Sequence, residues 1–219
     1  MHDFDWSGSE NLKSAEVRWP IPGRYSAATG APATIDDPDP FIGYSGSFVL
    51  PLVLRLADSA QPARIRLTMQ YSVCNEICIP AQAQLEMTLI PRSKPDMRHA
   101  ELIRTHLVRT PASNGHNGLK IERAEITNEG IIAVSARSDR PMMKPEIIVE
   151  TPWETIFVPA AIRMNDDRTV AAFQFRLAGR DPRSPLPPRM PEGQMRFTLV
   201  DSGWAVEHEL PIPDLAADR

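Results

Sequence analysis

Proline is the residue type that most limits how this chain can fold. The 219 residues include 22 prolines, roughly twice the usual share of about 5%. Because proline lacks a backbone N–H and fixes its φ angle, it interrupts helices and the interiors of sheets. Prolines at this density disfavour long helices and suit short strands joined by loops. We therefore expect a mainly β protein.

Alternating apolar residues identify the clearest strands. Apolar side chains occupy every second position of residues 64–73, at Ile65, Leu67, Met69, Tyr71 and Val73. Residues 83–89 repeat the pattern through Ala83, Leu85, Met87 and Leu89. Since strand side chains point alternately to two faces, this period predicts strands with one face on a core, as in a β-sandwich. Residues 15–19 and 47–56 are further predicted strands, and Pro51 indicates an edge or a bulge in the second.

One helix is predicted near the middle of the chain. Ser93-Lys-Pro-Asp96 resembles a capping box in which Asp96 replaces the usual glutamate. The apolar residues that follow recur with a helical period, at Met97, Ala100, Ile103 and Leu107. Thr110-Pro111 ends the pattern, since the residue before a proline disfavours the helical conformation.

The second half of the chain is again predicted to consist of strands. We place them at 119–125, 130–136, 146–150, 155–163, 169–177, 195–200 and 203–210. Residues 128–130 and 201–203 read as hairpin turns, and residues 181–193 as a proline-rich surface loop. The predicted core aromatics are Trp153, Phe157, Phe173, Phe175, Phe197 and Trp204. The predicted domains are therefore residues 1–92 and 118–219, with residues 93–117 as a linking helix and loop.

Composition excludes several functional classes. The net charge is −4 and the pI is near 5.8, so no basic field attracts nucleic acid. Aromatic residues make up only 6%, which disfavours a base-stacking surface. No apolar run is long enough for a transmembrane helix, and the first residues do not form a signal peptide. We predict no cofactor and no resident metal.

The two cysteines, Cys74 and Cys78, are the main candidate for chemistry. Four residues of straight strand span about 13 Å, whereas a disulfide needs Cα atoms within about 7 Å. The cysteines can therefore bond only if residues 75–77 form a loop between antiparallel strands, which the two flanking patterns supply. A five-residue ring stabilises by only about 2 kcal/mol, against about 4.7 kcal/mol for a loop of 100 residues. Such a ring suits a bond that is made and broken.

Other roles for the cysteine pair stay open at this level. The cysteines could form an inert local disulfide or remain buried thiols. A zinc site would need two more ligands, and the five histidines are scattered. Copper(I) is a stronger rival, because two thiolates and a thioether from Met69 or Met87 suit a soft ion. Those methionines, however, lie on the predicted core faces, where packing is the simpler role.

The cysteine motif resembles a known family. Tyr71-x-x-Cys74-x-x-x-Cys78-x-Pro80 is similar to the N-terminal periplasmic domain of the ScsB/DsbD family of thiol:disulfide interchange proteins, ScsB being linked to suppression of copper sensitivity. Phe4-Asp-Trp-Ser-Gly-Ser-Glu-Asn-Leu12 and Trp19-Pro-Ile-Pro22 resemble the lead-in of the ScsB type. Gly43-Tyr44 and Phe48-Val-Leu-Pro51 resemble the strand before the cysteine hairpin. The resemblance covers about residues 4–92.

The resemblance implies an all-β fold of two immunoglobulin-like β-sandwich domains joined by a short helix, and a periplasmic location. It implies that Cys74 and Cys78 exchange electrons with thioredoxin-like donor and acceptor proteins, with Cys78 as the sulfur joined to the partner. Phe41 matches an aromatic residue that shields the cysteines, Asp39 a nearby acid, and Tyr71 a tyrosine of the motif. Family members begin with a further strand segment, so the first sandwich is expected to lack its first strands.

Three functions are consistent with these features. The leading hypothesis is a thiol–disulfide exchange module, which would form one component of a protein-disulfide reductase. The second is a copper(I)-binding protein of copper tolerance. The third is a structural adaptor whose disulfide has no redox role.

Overall fold

The computed structural model describes residues 3–34, 37, 40–74, 77–126, 131–151, 157–177 and 194–211. Within these residues the chain is built from strands and one α-helix, which confirms the predicted all-β class. The strands are β1 (Asp3–Asp5), β2 (Leu12–Val17), β3 (Gly23–Ser26), β4 (Pro40–Gly43), β5 (Leu52–Leu56), β6 (Ala63–Cys74), β7 (Cys78–Leu89), β8 (Ala112–Ser113), β9 (Leu119–Ile126), β10 (Ile132–Ser138), β11 (Glu146–Glu150), β12 (Phe157–Met164), β13 (Val170–Leu177), β14 (Gln194–Asp201) and β15 (Trp204–Pro211). The helix α1 spans Met97–Leu107.

The first of two compact units comprises residues 1–20, 27–30 and 46–108. It contains a three-stranded sheet in the order β1-β6-β7, a pair formed by β2 and β5, and α1. The strand predicted over 47–56 begins only at Leu52, after the buried Pro51. The strand predicted over 15–19 lies earlier, at Leu12–Val17.

Strands β6 and β7 form the longest hairpin of the described chain. They pair antiparallel without a register shift, from Ala63 opposite Leu89 to Cys74 opposite Cys78. Ala63, Ile65 and Leu67 are buried on β6, as the alternation predicts. The prediction of a buried face is wrong for Val73 on β6 and for two β7 residues, Leu85 and Met87, all of which are more than half exposed. Within the described residues β7 is the edge of its sheet, and burial is confined to the base of β6.

The helix α1 lies in the predicted segment, but it begins later than a cap at Ser93 implies and ends at Leu107, before Thr110. Asp96 is itself the N-cap, and its carboxylate accepts hydrogen bonds from the backbone N–H groups of Arg98 and His99 at 2.9 and 3.4 Å. These bonds hold the pKa of Asp96 below its usual range. The predicted capping box starting at Ser93 is therefore wrong, because an aspartate directly before the first turn satisfies these N–H groups itself.

The second compact unit comprises residues 21–26, 31–45 and 109–219. It contains two four-stranded sheets, in the orders β12-β13-β10-β9 and β11-β14-β15-β8. Its core includes the predicted aromatics Phe157, Phe173, Phe175 and Phe197. Trp204 is half exposed, so its predicted core role is wrong: it opens β15 directly after the tight turn at Ser202 and Gly203. Trp153, the turn at 128–130 and the loop at 181–193 lie outside the described residues.

The hairpin of β3 and β4 groups with the second unit. Gly23–Ser26 pair with Pro40–Gly43, and Arg24 reaches β11 from this hairpin. The buried Arg24 guanidinium donates from Nε to Oε1 of Glu146 and from Nη2 to the Ile147 carbonyl, each at 3.2 Å. The compact units therefore differ from the predicted ranges 1–92 and 118–219.

Replacing Arg24 should destabilise the second unit. We expect Arg24→Met to lower its free energy of unfolding by about 1–3 kcal/mol, because the Ile147 carbonyl and Glu146 lose a buried partner. Urea unfolding followed by near-ultraviolet circular dichroism measures the change.

The control is Arg137→Met in the same unit, which removes the exposed ion pair of Arg137 with Glu122 at 2.8 Å. Exposed pairs contribute little, so this variant should unfold like the parent. Equal losses in the two variants would contradict the assigned role of Arg24.

Candidate functional site

The two cysteines form a disulfide at the end of the β6–β7 hairpin. Cys74 is the last residue of β6 and Cys78 the first of β7, and they lie directly opposite each other. Their sulfurs are bonded at 2.05 Å and their Cα atoms are 4.0 Å apart. The predicted hairpin geometry of the pair is therefore confirmed. Pro80, two residues beyond Cys78, fits because β7 is an edge strand, where a missing N–H is tolerated.

The register assigns the disulfide to one face of the hairpin. Residues that lie opposite each other in an antiparallel pair share a face, and the face changes at each step along the strand. The disulfide shares its face with three uncharged pairs: Ser72–Pro80, Gln70–Gln82 and Thr68–Gln84. The opposite face carries the pairs Val73–Ile79 and Tyr71–Ala81. The end of the hairpin thus has a disulfide face and an apolar face.

The disulfide is accessible to other molecules. Both cysteines are exposed, as are Ser72, Val73, Ile79 and Pro80 around them. The described part of β1 pairs with β6 only as far as Gln70, so beyond that point the described hairpin has two strands alone. A thiol can therefore reach the sulfurs without unfolding the sheet.

Charge is absent from the hairpin strands near the disulfide. Neither Leu67–Cys74 nor Cys78–Leu85 contains an ionisable side chain other than Tyr71 and the cysteines, and Glu76 of the connecting loop lies outside the described residues. The first charged side chain beside these strands is Asp3 of β1, which pairs with Gln70, about 13 Å along β6 from Cys74. The first charged pair within the hairpin is Glu86 with Arg66 at 3.0 Å, about 26 Å along the strands. Hydrogen bonds from Arg64 and Arg66 lower the pKa of Glu86, and at several Debye lengths this pair has little effect on the cysteines.

The residues predicted to surround the cysteines lie in different parts of the chain. Tyr71 is half buried on the apolar face, opposite Ala81, and does not share the face of the disulfide. Phe41 belongs to β4 in the second unit, where its ring lies 5.7 Å from that of Tyr25. Asp39 lies outside the described residues. The structure therefore brings together Cys74 and Cys78, and the shielding role of Phe41 stays a prediction.

The proposed copper ligands are not assembled. Met69 and Met87 project from the apolar face, as their cross-strand partners Ala83 and Ile65 show. They lie about 16 and 30 Å along the strands from Cys74 and Cys78. Among the described residues there is also no group of three or more His, Cys, Asp or Glu side chains placed to hold a metal.

Sequence reasoning missed the exposed apolar residues around the disulfide. Val73 and Ile79 are each 58% exposed and Ile77 is 72% exposed. Val73 belongs to an alternating run that predicts a core face, whereas Ile77 and Ile79 lie outside both predicted runs; the absence of charged residues from the strand segments 67–74 and 78–85 is the one sequence signal for a different use.

Comparisons with known proteins bear on both units. Residues 1–90 match the family described as thiol:disulfide interchange protein DsbD, N-terminal. Residues 109–214 match a domain of unknown function, DUF8393. The fold is similar to the crystal structure of the N-terminal periplasmic domain of ScsB from Proteus mirabilis, with a TM-score of 0.68 and 16% identity, over 97% of this chain and 77% of that chain. No curated protein matches the sequence significantly.

These matches confirm the family resemblance of the first part of the chain and the immunoglobulin-like all-β fold. The described part of the chain also contains no helix with the length and apolar character of a membrane span.

Removing the disulfide should have a modest effect on stability. We expect a Cys74→Ser, Cys78→Ser double variant to fold and to lose about 2 kcal/mol or less of unfolding free energy, because the ring closes only five residues. Chemical denaturation measures the loss, and Ile65→Ala at the buried base of β6 provides the contrast. That truncation should cost about 2–5 kcal/mol. A double variant that fails to fold, or that loses more than Ile65→Ala, would indicate a structural staple.

Proposed function

We propose that this chain, whose first 90 residues match the DsbD N-terminal family, is a periplasmic thiol–disulfide exchange module that relays electrons through Cys74 and Cys78. One observation carries the proposal: the only two cysteines of the sequence form an exposed disulfide at the end of a hairpin in the matched segment. An exposed ring of five residues is placed for exchange and is a weak staple.

The exchange proceeds in two balanced steps. A thiolate of the donor protein attacks Sγ of Cys78; the Cys74–Cys78 bond breaks and Cys74 leaves as a thiolate. A second donor thiolate then attacks the donor sulfur of the mixed disulfide, which releases Cys78 and leaves the donor oxidised. Two electrons and two protons have then moved to this chain. The choice of Cys78 rests on the family resemblance.

The reverse sequence passes the electrons on. The Cys78 thiolate of the reduced pair attacks the disulfide of an acceptor protein, and Cys74 resolves the mixed disulfide. The β6–β7 register places the cysteines opposite each other, next to the cross-strand pairs Val73–Ile79 and Ser72–Pro80, and we expect these pairs to hold after the sulfurs are reduced. The disulfide between Cys74 and Cys78 can therefore re-form without a rearrangement of the backbone.

The relay needs a dithiol donor and a disulfide acceptor outside these 219 residues. The sequence given contains no third cysteine, so the electrons come from a dithiol beyond it. By resemblance, donor and acceptor are thioredoxin-like redox proteins of the periplasm. In that setting the chain is one component of a protein-disulfide reductase.

A redox titration tests the exchange function. The protein is equilibrated across a series of glutathione potentials, free thiols are alkylated, and intact mass reports the redox state. We expect one reversible two-electron transition between the disulfide and the dithiol. A pair that stays oxidised and unreactive over the whole series would support the structural adaptor instead.

Phe41 is proposed to shield the disulfide, on the ground of the family resemblance. If it does, Phe41→Ala should increase the rate of reduction by dithiothreitol several-fold, since small thiols gain access to the sulfurs. Phe41→Leu, which keeps apolar bulk, is the matched control and should react more nearly like the parent. Equal reduction rates for the parent and Phe41→Ala would contradict a shielding role for Phe41.

Asp39→Asn tests acid–base assistance separately, through the pH dependence of the rate of reduction by dithiothreitol.

A further inference from the structure

The end of the hairpin combines a reactive face with an exposed apolar face. Val73 and Ile79 lie directly opposite each other, one residue inside the disulfide, and project from the other side of the two-stranded ladder. Each is 58% exposed, and Ile77 beside Cys78 is 72% exposed. Three β-branched apolar side chains, each next to a cysteine in the sequence, are therefore exposed beside the disulfide. We call Val73, Ile77 and Ile79 the tip cluster.

The tip cluster differs from scattered surface hydrophobics. Single exposed apolar residues are ordinary on soluble proteins, whereas a contiguous group marks a contact surface. Here the group coincides with the only disulfide, on hairpin strands that carry no Asp, Glu, Lys or Arg from Leu67 to Cys74 or from Cys78 to Leu85. Glu76 belongs to the connecting loop and Asp3 of β1 pairs with Gln70, so the surface that a partner meets is uncharged on the hairpin strands themselves.

The hairpin end is narrow, and this limits which kind of partner surface can contact both of its faces. Neighbouring strands are about 4.8 Å apart in the plane of the sheet, so a two-stranded end is narrow enough for one molecule to reach around its edges and contact both of its faces. A flat surface laid on the disulfide face would leave Val73 and Ile79 in water. A groove that receives the end of the hairpin would bury them while its other wall reaches the sulfur.

We propose that the tip cluster is the recognition element for the redox partner, which receives the hairpin end in a groove with a thiol on one wall and an apolar surface on the other. This inference rests on the proposed exchange function and names the partner class of the same site. The contribution of the tip cluster depends on apolar burial, so its loss should slow the reaction equally at low and at high salt.

The test compares a small and a protein reductant on a Val73→Thr, Ile79→Thr double variant. Threonine keeps the β-branched shape and the strand preference of both positions, so the hairpin is retained. Rates of disulfide reduction are measured with dithiothreitol and with reduced thioredoxin as the protein probe, at 0.05 and 0.5 M salt. We expect the dithiothreitol rate to stay within about twofold of the parent and the thioredoxin rate to fall at least about tenfold at both salt concentrations.

Leu85→Thr is the matched control. Leu85 lies on the same strand and the same face as Ile79 and is 57% exposed, but it is about 20 Å further along β7. Its variant should react with thioredoxin like the parent. If Leu85→Thr slows the reaction as much as the double variant, or if the double variant keeps the parent rate, the tip cluster is not the recognition element.

Two further outcomes separate this inference from the function on which it rests. A parent disulfide that dithiothreitol reduces but thioredoxin does not would contradict the groove-bearing partner and leave exchange chemistry intact. A disulfide that resists both reductants would contradict the exchange function itself.

Discussion

The uninterrupted register of β6 and β7 is the constraint on which the site depends. It begins at Ala63 opposite Leu89 and ends at Cys74 opposite Cys78. A slip by one residue would move each side chain to the other face and separate the sulfurs. The register is fixed at the base, where Ile65 and Leu67 are buried and Glu86 pairs across the strands with Arg64 and Arg66. The far end can therefore be exposed without losing its alignment.

The second unit shows that a matched segment and a compact unit need not coincide. The family match ends at residue 90, yet residues 21–26 and 31–45 group with the second unit. The buried Arg24 bridges an early hairpin to β11 over 122 positions of sequence. A fragment cut at residue 92 would lose the partners of this guanidinium. The segment that carries Phe41 is thus held by residues that come much later in the chain.

Much of the fold was accessible from the sequence, for a physical reason. Strand alternation reports which side chains share a face, so it predicts β6, the half of β7 away from the cysteines and the cysteine hairpin, and the helical period predicts α1 from Met97 to Leu107 although not its cap. Alternation does not report whether a second layer covers a face, which is why Leu85 and Met87 were placed in a core that does not reach them. The pairing of β3 with β4 and the burial of Arg24 depend on distant partners and left no local pattern. The role of Phe41 came from resemblance and stays a prediction.

The central claim is that the exposed disulfide exchanges with a protein thiol, and capture of the mixed disulfide tests it most directly. The reduced Cys74→Ser variant, which lacks the resolving sulfur, is mixed with thioredoxin that retains only its attacking cysteine, activated as a mixed disulfide with a small aromatic thiol, and the intact mass is measured after an acid quench. The account predicts an adduct of the two chains joined through Cys78, with the small thiol released, and its cleavage by dithiothreitol. Absence of any adduct, with Cys78 still a free thiol, would contradict it.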